Sequence, residues 1–217
     1  MKKFTILCSL AVFFIPALAQ GACDYNANEV TLAFEAISKD RNGQPLDGTV
    51  CSFRANGPLE KELPFKAGVL EGLGKEYDSK GKLYLETPYK AGTVDGIVKN
   101  YYLTSGKLQY EIPYKAGTIE GIKKIYLPSG ELLTETPIKA GKTDGVEKSY
   151  YKSGKLMSEI HYEAGKQEGI EKWYDEDGKS KGEEMFFKNN KVVSGKYADG
   201  REWTKAEVDR YNKKMGY

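Results

Sequence analysis

The chain has 217 residues, with 33 lysines and arginines against 31 aspartates and glutamates and a net charge of +2. That length suits one or two ordinary domains. The near-neutral balance gives no net steering toward nucleic acid or an anionic surface.

Lys2 and Lys3 precede an apolar run from Phe4 to Pro16, and Ala17-Leu18-Ala19 follows. A basic start, an apolar stretch too short for a bilayer span and a small-x-small site predict a secretory leader over residues 1–19. The expected product is exported, periplasmic or secreted. Removing Lys2 and Lys3 leaves equal numbers of acidic and basic side chains. No later run approaches the ~20 apolar residues of a membrane-spanning helix. Cys8 leaves with the leader, and Cys23 and Cys51 remain as a pair that predicts a disulfide in an oxidising compartment. The alternative is a lipid-anchored N-terminus at Cys23: Gly21 and Ala22 are the small residues such a site wants, but Gln20 stands where an apolar residue is expected.

Residues 20–47 predict an N-terminal cap, with a strand expected over Val30-Thr31-Leu32-Ala33-Phe34 and a turn at Asp40-Arg41-Asn42-Gly43-Gln44-Pro45. A periodic array then runs over residues 48–200. Its opening glycines, Gly48, Gly72, Gly96, Gly121, Gly145 and Gly169, are spaced 24, 24, 25, 24 and 24 residues apart. A fixed period in this range marks a repeat architecture. One residue past most of these glycines is apolar (Leu73, Ile97, Ile122, Val146, Ile170), and five past each is aromatic (Phe53, Tyr77, Tyr101, Tyr126, Tyr150, Tyr174). Even separations put these on one face of a strand.

A turn glycine follows (Gly57, Gly81, Gly106, Gly130, Gly154, Gly178). Ser-Gly-Lys and Asp-Gly-Lys suit a three-residue hairpin loop that pairs the aromatic with the leucine beyond it. In the return strand Leu108, Tyr110, Ile112 and Tyr114 alternate with polar residues, and this set is expected on the face of Ile97 and Tyr101. Pro64, Pro88, Pro113 and Pro137 sit late in the return strands, where the ladder is expected to loosen. Gly68, Gly92, Gly117, Gly141 and Gly165 hold a second turn before a short link. The third repeat has one extra residue near Tyr102-Leu103, for which a bulge is expected. A capping-box pattern at Thr204-Lys205-Ala206-Glu207 predicts a helix over residues 204–214 inside a C-terminal cap of residues 201–217. The fold class is therefore all-β: an elongated twisted antiparallel sheet of stacked hairpins sharing one apolar face, with a short C-terminal helix.

Two rows bear on chemistry. Lys75, Lys99, Lys124, Lys148 and Lys172 stand three residues past their glycines, on the face of Tyr77, Tyr101, Tyr126, Tyr150 and Tyr174. This basic and aromatic stripe reads as lysine stems packed along tyrosines, or as a binding stripe for a glycan or anionic headgroup. Glu62, Glu86, Glu111, Glu135, Glu159 and Glu183 form a carboxylate row expected on the opposite face. Identical carboxylates in a row do not provide the two unlike groups of acid–base catalysis, and they lack the clustered oxygens of a calcium site. His161 takes the register of the prolines, so it reads as a surface substitution, and no Cys-x-x-Cys pair supports zinc. No catalytic residue, metal site or cofactor is expected.

The unit Gly-x-x-Lys-x-Tyr, Ser-Gly-Lys-Leu, Glu, Tyr-Lys-Ala-Gly resembles the bacterial variant of the MORN (membrane occupation and recognition nexus) repeat over about residues 48–195. The resemblance implies a twisted sheet of hairpins used for scaffolding, protein contact or membrane-surface association, with no catalytic residues to carry over. Some bacterial members carry an antitoxin-like label; the export signal here departs from intracellular antitoxins. The expected function is a non-enzymatic exported scaffold that binds a protein partner at the cell envelope. The alternatives are a glycan- or lipid-surface module using the Tyr/Lys stripe, and an antitoxin-like component.

Overall fold

The computed structural model describes residues 23–30, 32, 37–55 and 57–216. The leader over residues 1–19 lies outside them, as do Thr31, Ala33 and Phe34 of the strand expected in the N-terminal cap.

The described residues form one open sheet of 18 strands and a C-terminal helix. Each repeat is a hairpin. In the third, an opening strand Gly96–Tyr101 pairs antiparallel with a return strand Leu108–Lys115. The return strand also pairs with the next opening strand, through Glu111 opposite Lys124 and Tyr110 opposite Ile125. From Gly48 to Lys196 the chain thus runs hairpin by hairpin across the sheet, each strand antiparallel to its neighbours.

The first turn is as expected. In the second repeat Asp78 N–H donates to the Lys82 carbonyl and Gly81 N–H to the Asp78 carbonyl, closing a three-residue loop. The third repeat takes its extra residue into this loop: Gly106 N–H reaches back to Tyr102, and the opening strand keeps the same six residues as its neighbours. The expected bulge at Tyr102 is absent because the loop is exposed and lengthens at little cost. A bulge occurs elsewhere, and in every hairpin. Asn100 faces Tyr110 while Tyr101 faces Leu108, which leaves Gln109 as an extra residue in the return strand.

That residue inverts the rest of the strand. Glu111 lies opposite Lys99 and Pro113 opposite Ile97, whereas Ile112 lies opposite Val98 and Tyr110 opposite Asn100. Directly opposed residues share a face. The apolar set Tyr110, Ile112 and Tyr114 therefore occupies the face away from Ile97 and Tyr101, and the glutamates join the lysines. Leu108, before the bulge, stays opposite Tyr101 on the expected face; beyond it the expected faces of the other apolar residues and of the glutamates are both reversed by one bulged residue.

The return strands also run straight through their prolines to the terminal lysine. Pro113 stays in the strand because the ladder on its far side slips register there. Tyr114 pairs with Ile119, but Glu111 pairs with Lys124, so extra residues around Gly121 fall opposite the proline. The Pro113 carbonyl still accepts the Glu120 N–H at 3.0 Å. At such bulges a missing donor costs the ladder nothing. The prolines in turn require the opening glycines: Gly96 has φ +124°, and a Cβ there would lie 2.9 Å from Pro88 Cγ.

The second turn is a two-residue loop in which both members are left-handed: Ala116 has φ 47° and Gly117 φ 80°. The expected short link after it is itself a two-residue strand, Thr118–Ile119. An alanine in this conformation costs roughly 1–2 kcal/mol. The offset comes from the preceding repeat, where the Asp95 carboxylate accepts the Ala116 N–H at 3.0 Å and the Val94 carbonyl accepts that of Gly117 at 2.8 Å. Glu71, Glu120 and Asp144 accept the N–H of Ala91, Ala140 and Ala164 in the same way, and Glu168 accepts that of Asn189.

The shared apolar face is not a continuous core. Among the described residues, the buried hydrophobic side chains lie at the two ends: Leu46, Val50, Cys51 and Phe65 in the first, Phe187 and Val192 in the last. At the first end the Cys23–Cys51 disulfide is present, and Tyr25–Asn26 pairs parallel with Val50–Cys51. With its sulfur bonded to Cys51, Cys23 has none left for a lipid thioether. At the other end the helix Lys205–Met215 carries the expected capping box, Thr204 with Glu207. Asn212 Oδ1 accepts the Val192 N–H at 3.0 Å and Nδ2 donates to the Val192 carbonyl at 2.8 Å, so one amide side chain imitates a neighbouring strand. Asn212→Ala is expected to cost about 1–3 kcal/mol, measured by urea unfolding, with faster hydrogen exchange at Val192.

Candidate functional site

The ladder face carries three parallel rows. The central one alternates lysine and glutamate across the sheet, because each glutamate opposes the lysine of its own hairpin and that of the next. Glu86 lies between Lys75 and Lys99, Glu111 between Lys99 and Lys124, Glu135 between Lys124 and Lys148, and Glu159 between Lys148 and Lys172. Nζ–carboxylate distances are 3.8 Å for Lys75–Glu62, 3.5 Å for Lys124–Glu135, 3.8 Å for Lys148–Glu159 and 3.9 Å for Lys172–Glu184. In the sixth hairpin Glu184, and not Glu183, takes the rung. Cys51 takes the lysine position of the first hairpin, and the disulfide stands where the ladder begins.

The tyrosine row closes each rung from the following repeat. Tyr101 donates its hydroxyl to Glu86, Tyr126 to Glu111 and Tyr150 to Glu135, each at 2.7 Å, and Tyr174 donates to Glu159 at 2.9 Å. Every one of these bonds joins two hairpins. A hydrogen bond to a charged acceptor contributes about 1.5–3 kcal/mol when buried, and these half-buried ones fall at or below the low end. Burial, then the hydrogen bond to the carboxylate and its charge, push the Tyr101, Tyr126 and Tyr150 hydroxyls up to about 12. For Tyr77 the causes begin with burial and the charge of Glu62, and it too rises to about 12.

The residues of the expected binding stripe are therefore brought together on one face, and the glutamates between them neutralise it. The third row pairs Leu73 with Pro88, Ile97 with Pro113, Ile122 with Pro137 and Val146 with His161. His161 is exposed in the proline register, as expected. Among the described residues no group of three or more His, Cys, Asp or Glu side chains could hold a metal ion, and no helix is long and apolar enough to cross a membrane.

Sequence reasoning missed the acids that hold the second turns. Their signal was in view: an aspartate or glutamate precedes every opening glycine, Asp47, Glu71, Asp95, Glu120, Asp144 and Glu168.

These features define a β-hairpin repeat protein whose units adhere by side-chain rungs. The profile of the MORN repeat variant matches residues 70–91, 94–116, 143–164 and 167–189. Four matches in register with the observed hairpins support a MORN-repeat protein. No curated protein matches the chain. Among solved structures, the crystal structure of TarM is similar over 56% of this chain and 22% of that one, at 13% identity and a TM-score of 0.26. This chain spans about a fifth of that protein's length, and a likeness at this level carries no argument.

Two measurements check the rungs. The neutral tyrosine hydroxyls contribute stability that is whole below pH about 10 and lost as the pH rises through about 12. Tyrosinate absorbance is expected to lag free tyrosine and then rise together with unfolding in that window. A double-mutant cycle of Glu111→Gln and Tyr126→Phe is expected to give a coupling of about 1 kcal/mol, measured by urea unfolding.

Proposed function

We propose that the chain is a non-enzymatic interaction scaffold of the cell envelope, exported and held in an extended form to present its repeats to a protein partner. MORN repeats are in general protein- or membrane-binding modules within a non-catalytic repeat family, and four such repeats are matched here. The observation that carries the protein reading is the charge pairing of the ladder. A lysine stripe built to bind anionic lipid or an acidic glycan needs free ammonium groups, whereas these stand between glutamates in register. The stripe Lys75, Tyr77, Lys99, Tyr101, Lys124, Tyr126, Lys148, Tyr150, Lys172 and Tyr174 is thus assigned to cohesion between hairpins. The Cys23–Cys51 disulfide is a bond of oxidising compartments, which supports export and speaks against an intracellular antitoxin.

Photo-crosslinking of the full chain in its native cell, followed by mass spectrometry, is expected to attach a discrete envelope protein. Retention by purified cell wall or by anionic vesicles, with no protein attached, would overturn the reading.

A further inference from the structure

The C-terminal helix closes the last edge with one side, through Asn212, and turns a second side to a cleft. Glu207, Arg210, Tyr211 and Lys214 recur at the spacing of a single helix stripe. With Tyr197 and Trp203 they line a cleft of about 200 Å³. Its walls are fixed. Trp203 N–H donates to the Gly195 carbonyl at 2.7 Å, and the indole lies so close on Gly195 that a Cβ there would collide with the ring. The ring centroids of Tyr197 and Tyr211 stand 5.8 and 5.6 Å from that of Trp203. The Tyr197 hydroxyl donates to Glu207 Oε1 at 2.9 Å.

Charge in this cleft is unbalanced. Glu207 Oε2 accepts the Thr204 N–H at 2.7 Å and the Thr204 hydroxyl at 2.9 Å, and Arg201 stands 3.4 Å from Oε1. The carboxylate is thus matched in charge and its oxygens are in use, while Arg201 also lies over the Tyr197 ring at 4.0 Å. Among the described residues the side chains of Arg210 and Lys214 make no ion pair and no hydrogen bond. The buried indole N–H of Trp203 has no acceptor either. Native structures leave few such donors unmatched.

We propose that the cleft binds the C-terminal aromatic residue of a partner polypeptide, its ring among Tyr197, Trp203 and Tyr211 and its α-carboxylate on Arg210 and Lys214. The idea deepens the scaffold reading above and rests on it. Size and charge select this occupant. A cavity of about 150 Å³ takes benzene, so this one takes a single ring and not a helix or a folded surface. Two unpaired cations one helical turn apart, beside an unmatched indole N–H, call for an anionic acceptor. A neutral aromatic side chain leaves all three donors empty, and a lysine or arginine is repelled. A phospholipid headgroup meets the charge but brings no ring to fill the walls. A sugar acid brings hydroxyl donors, and the one carboxylate lining the cleft is already engaged. A chain end carries ring and carboxylate in one residue, and capture of a chain terminus by converging donors is a recurring mode of peptide recognition.

The test titrates the full chain into the fluorescein-labelled peptide Gly-Ser-Gly-Ser-Phe, read by fluorescence anisotropy. With a free C-terminal carboxylate, binding is expected in the micromolar range. A C-terminal amide, or alanine in place of the phenylalanine, is expected to weaken it at least about tenfold. Arg210→Gln with Lys214→Gln is expected to do the same while circular dichroism and Tm stay as in the parent chain. Lys213→Gln, at the same helix end but not lining the cleft, is expected to change nothing. In proton–nitrogen correlation spectra the peptide is expected to move the Trp203 indole signal and leave that of Trp173, whose N–H already serves Glu171. Equal binding of the carboxylate and amide peptides, binding indifferent to the double substitution, or an unmoved Trp203 signal overturns the site. So does competition by phenylacetate or glucuronate as effective as that of the unlabelled peptide, or retention on phosphatidylcholine–phosphatidylglycerol vesicles that needs Arg210 and Lys214. A native envelope protein crosslinked equally by the parent and the double variant also overturns the site but leaves the scaffold reading standing, so the two fail separately.

Discussion

One surplus residue near the start of the return strand in each of the first five hairpins governs the rest of this molecule. Gln109 and its counterparts in the other hairpins shift the register by one, and side chains in a strand alternate with a period of two. The shift places glutamate opposite lysine and within reach of the next tyrosine. Without it the carboxylates would form a like-charged row on one face and the ammonium groups another on the opposite face. Cohesion between hairpins, the charge pairing of the ladder and the pairing of Ile97 with Pro113 in the outer row all follow from that register.

The consequence for energetics is an array held by neighbours and not by a core. Isolated hairpins are marginal, and the middle hairpins here lack a buried hydrophobic cluster among the described residues. Their adhesion comes from three linkages repeated at each junction: the backbone ladder, the tyrosine–glutamate rung, and the acid that caps the left-handed alanine of the following turn. Each joins adjacent repeats only, which is the quasi-one-dimensional energetics of a solenoid. The ends need other means because each lacks a neighbour. A disulfide and a small apolar cluster close the first edge, and Asn212 with its helix closes the last.

Such a design leaves surface free. A domain with a core spends its hydrophobic residues inside, whereas a single-layer sheet exposes part of each face. The ladder face holds itself together in its middle and tyrosine rows, while the outer row packs its prolines on the opening glycines and leaves its aliphatic side chains half-exposed.

Much of this was legible in the amino-acid sequence. The 24-residue period, the hairpins, the Cys23–Cys51 bond and the helix with its capping box follow from local chemistry: glycine at left-handed turns, alternation in strands, paired cysteines, and Thr204 three residues before Glu207. The faces of the return strands were not legible. A bulge leaves no composition signal at Gln109, and a slip of one residue sends Glu111 and Tyr110 to the faces opposite those that alternation assigns. The tolerance of Pro113 and the use of Asp95 were decided the same way, since each depends on which residue of the neighbouring hairpin arrives opposite. Local sequence set what each hairpin is. Only the packing of one hairpin against the next set which way its side chains point, because register is a property of two strands and not of one.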